Sequence, residues 1–120
     1  MVKIMSEKYL IRYLDNIIDY CDKVEKILNE FDSNYDEFIV NDIFQLSCSM
    51  CIIQIGENVD RLSDDFKENY NHIPWRSIKD MRNIMTHKYE SAEFDVMWYA
   101  LTVEVPELKE ELVKLKNINL

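Results

Sequence analysis

The chain has 120 residues and a formal net charge of −9, from 23 acidic and 14 basic side chains. This acidity argues against a protein that coats long stretches of nucleic acid, since non-specific affinity comes mainly from Lys and Arg neutralising phosphates. One glycine and two prolines are too few for a sandwich or barrel of short strands, so length and composition predict a single all-α domain over residues 1–120.

No targeting or membrane segment is expected. Residues 1–8 lack the apolar stretch of a secretory signal, and acidic Glu7 is unlike a mitochondrial transit peptide. The most apolar run, residues 43–55, is interrupted by Gln45 and Gln54 and is shorter than the roughly 20 residues that span a bilayer. The sequence therefore predicts a cytoplasmic protein without membrane contact.

The first half of the chain predicts two helices. Residues 6–31 carry apolar side chains at the three- and four-residue spacing of one helical face: Leu10, Leu14, Ile17, Ile18, Cys21, Val24 and Leu28. Residues 32–34 supply turn and capping side chains, so a second helix is expected to begin near Tyr35 or Asp36. Because this helix is apolar on most sides over residues 43–55, we predict that it is the buried central member of a bundle.

Gly56, the only glycine, falls inside the second helix. Glycine costs about 1 kcal/mol relative to alanine there, which indicates close backbone approach by another helix, a neutral substitution being the alternative. The charged residues that follow, Glu57, Asp60 and Arg61, are most simply interpreted as a solvated face.

The second half predicts a short helix and a long one. Pro74 fits the first position of a helix that runs toward His87, since that position needs no N–H. A last helix places apolar side chains at alternating steps of four and three: Phe94, Trp98, Leu101, Val105, Leu108, Leu112 and Leu115. Pro106 within this stripe removes a backbone hydrogen bond and predicts a kink near Thr102. The predicted fold is an antiparallel bundle of about five helices.

Cys48 and Cys51 form a C-x-x-C pattern, which invites a metal or redox interpretation. The pattern lies in an apolar helical run without a second Cys or His pair at zinc spacing. We therefore interpret Cys21, Cys48 and Cys51 as reduced packing residues, and we expect no metal and no cofactor.

The segment R-N-I-M-T-H-K-Y, from Arg82 to Tyr89, concentrates reactive groups. A guanidinium that stays charged suits phosphate oxygens, and an imidazole exchanges protons near neutrality. Four basic and two acidic residues over residues 74–90 make this region locally positive. Metal-free RNA cleavage could use His87 as general acid or base, Arg82 to stabilise the phosphorane, and Asn83 to orient either the phosphate or the imidazole.

Arg82 and His87 do not share one narrow helical face. Five residues of continuous helix place them about 140° apart in projection and about 7.5 Å apart along the axis. Arginine's long reach, unwinding near Thr86, or a twofold dimer that joins two motifs would bring them together. A helix C-terminus whose cations complement the dipole is the non-catalytic alternative.

The segment resembles the R-x4-H-x-Y signature of the HepT-like branch of the HEPN family, with a polar residue after the arginine. The resemblance extends to I-G-E at residues 55–57, I-P-W-R at 73–76 and V-P-E-L-K at 105–109, and so spans most of the chain. Asn58 departs from it, where alanine is frequent, as do Thr86 and Lys88. The resemblance implies a HEPN-like bundle that acts as a homodimeric, metal-independent endoribonuclease toxin with Arg82, Asn83 and His87 in a dimer cleft.

The resemblance also implies regulation at Tyr89, the position that receives AMP from a cognate MNT-type nucleotidyltransferase antitoxin. The added nucleotide would bring bulk and negative charge beside the arginine and histidine. Glu57 is expected near the cleft.

Further contacts with the RNA substrate are predicted at Arg76, Lys79, Lys88 and Trp75. Trp75 would stack on a base, with packing as its alternative role. The competing function is a non-catalytic helical binding subunit of a nucleotidyltransferase complex, in which the segment would be an interface element.

Overall fold

The computed structural model describes residues 7–87 and 93–119, with the backbone alone at residues 86, 87 and 119. Every regular element within those ranges is helical: α1 (Glu7–Glu30), α2 (Tyr35–Phe38), α3 (Asp42–Arg61), α4 (Asp64–Asn69), α5 (Trp75–His87), α6 (Phe94–Tyr99), a π-helical turn (Ala100–Glu104) and α7 (Val105–Asn119). The predicted all-α helical bundle is confirmed. Within these ranges, no helix combines the length and the apolar character needed to cross a bilayer.

Helix α1 matches the predicted amphipathic helix, and its buried face includes Leu14, Ile17 and Val24. The turn that follows places Asp32 and Ser33 in the left-handed region, with φ of 55° and 48°. The Ser33 N–H donates to the Leu28 carbonyl at 2.7 Å, which satisfies an acceptor left open at the helix end.

The second predicted helix is divided in two, which corrects the expectation of one continuous helix from Tyr35. The Asn34 side chain accepts the Glu37 N–H and starts α2, and the Asn41 side chain accepts the Phe44 N–H and starts α3. The Asn41 amide also donates to the Glu37 carboxylate at 2.7 Å. Each asparagine satisfies an open amide at a helix start, so a second start is favoured over continuation.

Helix α3 packs against α1 on one side and α5 on the other, and Phe44, Ile52 and Ile55 are fully buried. An aromatic cluster closes one end of the bundle, where Phe31 stacks on Phe44 at 4.2 Å between ring centroids. Asn58 is buried and accepts a hydrogen bond from the Asn16 amide of α1 at 3.1 Å. The asparagine that departs from the family pattern therefore links two helices of the core.

The prediction that residues 43–55 form a helix buried on most sides is wrong for one face. Ile43, Leu46 and Met50 are 70%, 65% and 57% exposed, and Val40 just before α3 is 73% exposed. We call these four residues the apolar strip. Among the described helices, α1 and α5 pack on other sides of α3 and do not cover this face.

Helix α5 begins one residue later than predicted, since Pro74 precedes its first residue and accepts the Ile78 N–H at 3.2 Å. Proline is still placed where no intrahelical donor is needed. Ile78, Met81 and Met85 form the buried side of α5, which fixes the outward direction of the remaining side chains.

The last helical run contains the predicted irregularity as a π-helical turn. The Val105 N–H donates to the Ala100 carbonyl five residues earlier, directly before Pro106. A wider turn accommodates the missing proline N–H and its ring. The predicted stripe is confirmed, because Leu101, Val105, Leu108, Leu112 and Leu115 are buried and the rings of Phe94 and Trp98 pack on the core.

Candidate functional site

Helix α5 presents most of the predicted site residues on its outer side. Arg76, Lys79 and Asn83 are exposed, and their steps of three and four put them on one helical face. Arg82 lies at the edge of this face, next to α3. The described part of α5 therefore joins two exposed cationic side chains, an amide and a more enclosed guanidinium.

The Arg82 guanidinium is held by two carboxylates of α3. Its Nη1 lies 2.6 Å from Asp60 Oδ2 and 3.5 Å from Glu57 Oε1. The Arg82 side chain is 20% exposed, whereas the carboxylate side chains are 43% and 49% exposed. The cation is thus partly withdrawn from water and paired with both carboxylates.

The stem of Arg82 lies directly on Gly56. A Cβ atom at position 56 would stand 2.5 Å from Arg82 Cδ and 3.1 Å from its Cβ and Cγ. Such a separation is well inside van der Waals contact. The prediction that another helix approaches this glycine with its backbone is wrong in that detail, because the group that lies on Gly56 is the Arg82 side chain of α5.

The interpretation of Glu57, Asp60 and Arg61 as a solvated face agrees with the structure, in which all three residues are exposed, and the two carboxylates also pair with Arg82. Arg61 is exposed and its Nη1 contacts the Asn58 side-chain oxygen at 3.4 Å. Sequence reasoning missed Asp60 as a site residue. The available signal was its spacing, since Asp60 follows Gly56 by one helical turn and so lies beside whatever packs on the glycine.

Trp75 is occupied by packing within the described structure. Its indole N–H donates to the Lys67 carbonyl at 3.2 Å, and its ring centroid lies 6.2 Å from that of Phe66. These contacts favour the packing alternative over base stacking.

The remaining motif residues fall at the limit of the described structure. His87 is the last residue of α5, so its backbone continues the helix that carries Arg82, and its side chain lies outside the description. Lys88 and Tyr89 lie outside the described residues. The convergence of Arg82 with His87 and the position of Tyr89 therefore stay predictions.

The apolar strip runs toward the Arg82 site. Glu57 follows Met50 by seven residues, two helical turns along the same face of α3. Residues 43–56 contain no charged side chain, and the first charges after them are those that bind Arg82. An exposed apolar surface thus adjoins a cluster of paired charges.

The cysteines have the properties of core residues. Burial raises the pKa of the Cys21 and Cys48 thiols to about 12 and also raises the pKa of Cys51. Thiols with such pKa values remain protonated at neutral pH, whereas metal binding and redox exchange require the thiolate. The prediction that these are reduced packing residues agrees with their burial as free thiols.

Comparisons with known proteins point to one family. The profile of a family described as "Ribonuclease HepT-like" matches residues 17–115. The Methanocaldococcus jannaschii protein "Putative RNase MJ0125" is 30% identical over 111 residues, covering 92% of this chain and 94% of that protein. "Probable ribonuclease HepT" of Thermococcus cleftensis is 27% identical over 105 residues, covering 88% and 94%.

A longer relative matches in part. The Methanocaldococcus jannaschii protein "Gamma-glutamylcyclotransferase and putative RNase MJ0434" is 32% identical over 103 residues, which cover 86% of this chain but only 46% of that protein. No solved structure matches the chain closely enough to count as a relative.

Proposed function

This chain belongs to the Ribonuclease HepT-like family, and we propose on this basis that it is a metal-independent endoribonuclease toxin of the cytoplasm. The observation that carries the proposal is the partly enclosed Arg82 guanidinium, fixed on α3 beside exposed Asn83 at the start of the R-x4-H motif. Membership of the family indicates the class of reaction, and helix α5 carries the side chains proposed to perform it.

The proposed reaction is internal transesterification of RNA. A base removes the proton of the 2′-hydroxyl, whose oxygen attacks the adjacent phosphorus. The bond from phosphorus to the 5′-oxygen breaks, and this oxygen accepts a proton, leaving a 2′,3′-cyclic phosphate and a 5′-hydroxyl. His87 performs one of the proton transfers, and Arg82 stabilises charge on the phosphorane oxygens.

Substrate contacts are assigned to the outer side of α5. Arg76 and Lys79 are exposed there, and with Lys88 they supply positive charge in a protein of net charge −9. Asn83 lies on the same face and orients the phosphate. Such a short cationic surface suits one or two phosphates of a single RNA strand.

The proposed active form is a homodimer that pairs through the apolar strip. Monomeric proteins rarely expose several neighbouring large apolar side chains without an interaction role. We assign the strip to a second copy because copies of net charge −9 repel, and an uncharged surface lets them approach with the least electrostatic cost. A twofold axis that runs roughly parallel to α3 would set the strip against itself and bring the two adjoining Arg82 sites near one another.

Tyr89 is the proposed control point. A cognate MNT-type nucleotidyltransferase would transfer AMP from ATP, with attack of the tyrosine oxygen on the α-phosphorus and release of pyrophosphate. The bound AMP places a phosphodiester charge near Arg82 and His87 and competes with RNA for the same cation.

Purified protein is expected to cleave RNA in EDTA and to leave 2′,3′-cyclic phosphate ends. Arg82→Ala is expected to lower the rate about 10²–10³-fold, because a prearranged donor to the transition state is lost. Arg12→Ala, an exposed arginine of α1, is the matched control and should cleave like wild type. Cleavage that requires a divalent cation, or an Arg82→Ala variant with full activity, would contradict the proposal.

Tyr89→Phe is expected to escape control by the nucleotidyltransferase. With partner and ATP, wild type should gain the mass of AMP and stop cleaving RNA, whereas the variant should gain no mass and stay active. Tyr99→Phe removes a phenol that is 57% exposed on α6 and should behave as wild type. AMP found on the Tyr89→Phe protein would rule out Tyr89 as the acceptor.

A further inference from the structure

Two carboxylates hold the Arg82 guanidinium, although the proposed chemistry requires neither. Asp60 is the nearer, at 2.6 Å from Nη1, and Glu57 lies at 3.5 Å. We infer that Asp60, assisted by Glu57, is a positioning residue that fixes the Arg82 guanidinium on α3 over Gly56. The inference rests on the proposed function, in which Arg82 contacts the phosphate of RNA.

Stability alone does not account for this arrangement. Ion pairs whose carboxylates are almost half exposed contribute little to folding, since water screens them and two flexible side chains lose freedom. Orientation is a different matter, because an arginine side chain has many rotamers and a transition state is stabilised only by donors already in place. The pairing limits Arg82 to the rotamers that follow the surface of α3.

Gly56 contributes to the same end by making room. Any side chain at position 56 would meet the Arg82 stem, whose Cδ lies 2.5 Å from the place of a Cβ. The absence of a side chain at Gly56 lets the Arg82 stem lie against the α3 backbone. The carboxylates of Glu57 and Asp60 then determine where the guanidinium points. Residues of one helix thus define the position of a catalytic residue on another.

The carboxylates also weaken the attraction of Arg82 for phosphate, since negative charges at this distance oppose a second anion. A guanidinium has five N–H donors on three nitrogens, so carboxylate and phosphate can be bound by the same group. Loss of Asp60 is therefore expected to affect kcat and KM differently. Orientation is lost, which lowers kcat, while RNA binding is unchanged or tighter.

Asp60→Asn is expected to lower kcat for RNA cleavage about 10- to 100-fold, the effect of a small misplacement of a catalytic group, without a rise in KM. Asp60→Glu, which restores the carboxylate, should recover part of kcat. The matched control is Asp22→Asn, which breaks a pair with Lys109 at 2.5 Å between α1 and α7, a pair that includes neither Arg82 nor its carboxylate partners. An Asp60→Asn variant with unchanged or higher kcat would overturn the inference, because the carboxylate would then merely compete with phosphate.

Gly56→Ala is expected to lower kcat to a similar extent without lowering the melting temperature. Alanine favours the helix over glycine, which offsets the adjustment that the added methyl group forces on Arg82. A merely structural role for this contact predicts the reverse, with activity and stability falling together. That outcome would contradict the inference.

A readout without RNA separates this inference from the proposed function. Exchange of the Arg82 guanidinium protons with water, followed by NMR, is expected to be slower in wild type than in Asp60→Asn or Gly56→Ala. Equal exchange in all three proteins would overturn the positioning role whatever their activity. Slow exchange in a wild-type protein that does not cleave RNA would refute the proposed function. The inference that Asp60 and Gly56 fix the Arg82 guanidinium would still hold.

Discussion

Replacing His87 by alanine is expected to lower the rate of RNA cleavage by about 10²–10⁴-fold, the usual contribution of general acid–base catalysis. RNA provides its own nucleophile, but the 2′-hydroxyl loses its proton slowly. The 5′-oxygen is also a poor leaving group unless it receives a proton. A group that exchanges protons near neutral pH is therefore the main chemical requirement. Arg82 keeps its charge at all relevant pH values and cannot replace it.

The chain offers a direct control for this experiment. His72 is the other of the chain's two histidines and lies in the exposed turn before α5, 3.4 Å from a Glu111 carboxylate oxygen. His72→Ala should cleave RNA like wild type. His87→Gln should be as inactive as His87→Ala, because an amide fills similar space without exchanging the proton.

The pH dependence provides a second test of His87. The wild-type pH–rate profile should contain a transition from His87, and this transition should be absent from the residual activity of His87→Ala. Activity of His87→Ala within tenfold of wild type would refute its role in proton transfer.

Placing charge in the apolar strip is expected to dissociate the protein and abolish RNA cleavage. Leu46→Asp and Met50→Asp each set a carboxylate where, in the proposed dimer, it would meet the same residue of the second copy or an apolar neighbour. Burying this unpaired charge in the dimer contact costs far more free energy than leaving the carboxylate in water on the monomer. Sedimentation should change from twice the chain mass to the single chain mass.

The strip variants should otherwise fold normally, because both positions are more than half exposed and exposed substitutions usually change stability by less than about 0.5 kcal/mol. Ile118→Asp is the matched control, since Ile118 is 78% exposed near the end of α7 and lies outside the strip. A wild-type protein that sediments as a single chain would refute the homodimer. The apolar strip would then be assigned to a different partner.

Several elements could be predicted from the sequence because their signals are local. The amphipathic spacing of α1 and of the last helical run is visible in the order of residues, and the buried sides follow from it. Asn34 and Pro74 marked helix starts to within one residue. The π-helical turn lies where Pro106 predicted a kink, since the missing N–H is itself a property of the sequence.

Other features could not be predicted, because they depend on which helix covers which. An apolar side chain of α3 has the same local pattern whether α1, α5 or solvent faces it, so the exposure of Ile43, Leu46 and Met50 was not foreseen. Likewise, the break at residues 39–41 replaced a continuous helix because two asparagines cap separate starts. No local pattern distinguishes Asp60 from other surface carboxylates, because its pairing with Arg82 depends on the packing of α5 against α3.

The sequence by itself determined the helical class, the family and the chemical groups of the motif, since composition, spacing and residue identity are written in the chain. Tertiary structure decided the partners of those groups: the arginine on the glycine, the carboxylates that hold it, and the apolar strip left uncovered. The physical reason is that contacts between residues 22 or more positions apart, such as Asp60 and Arg82, arise from helix packing, which no local pattern encodes.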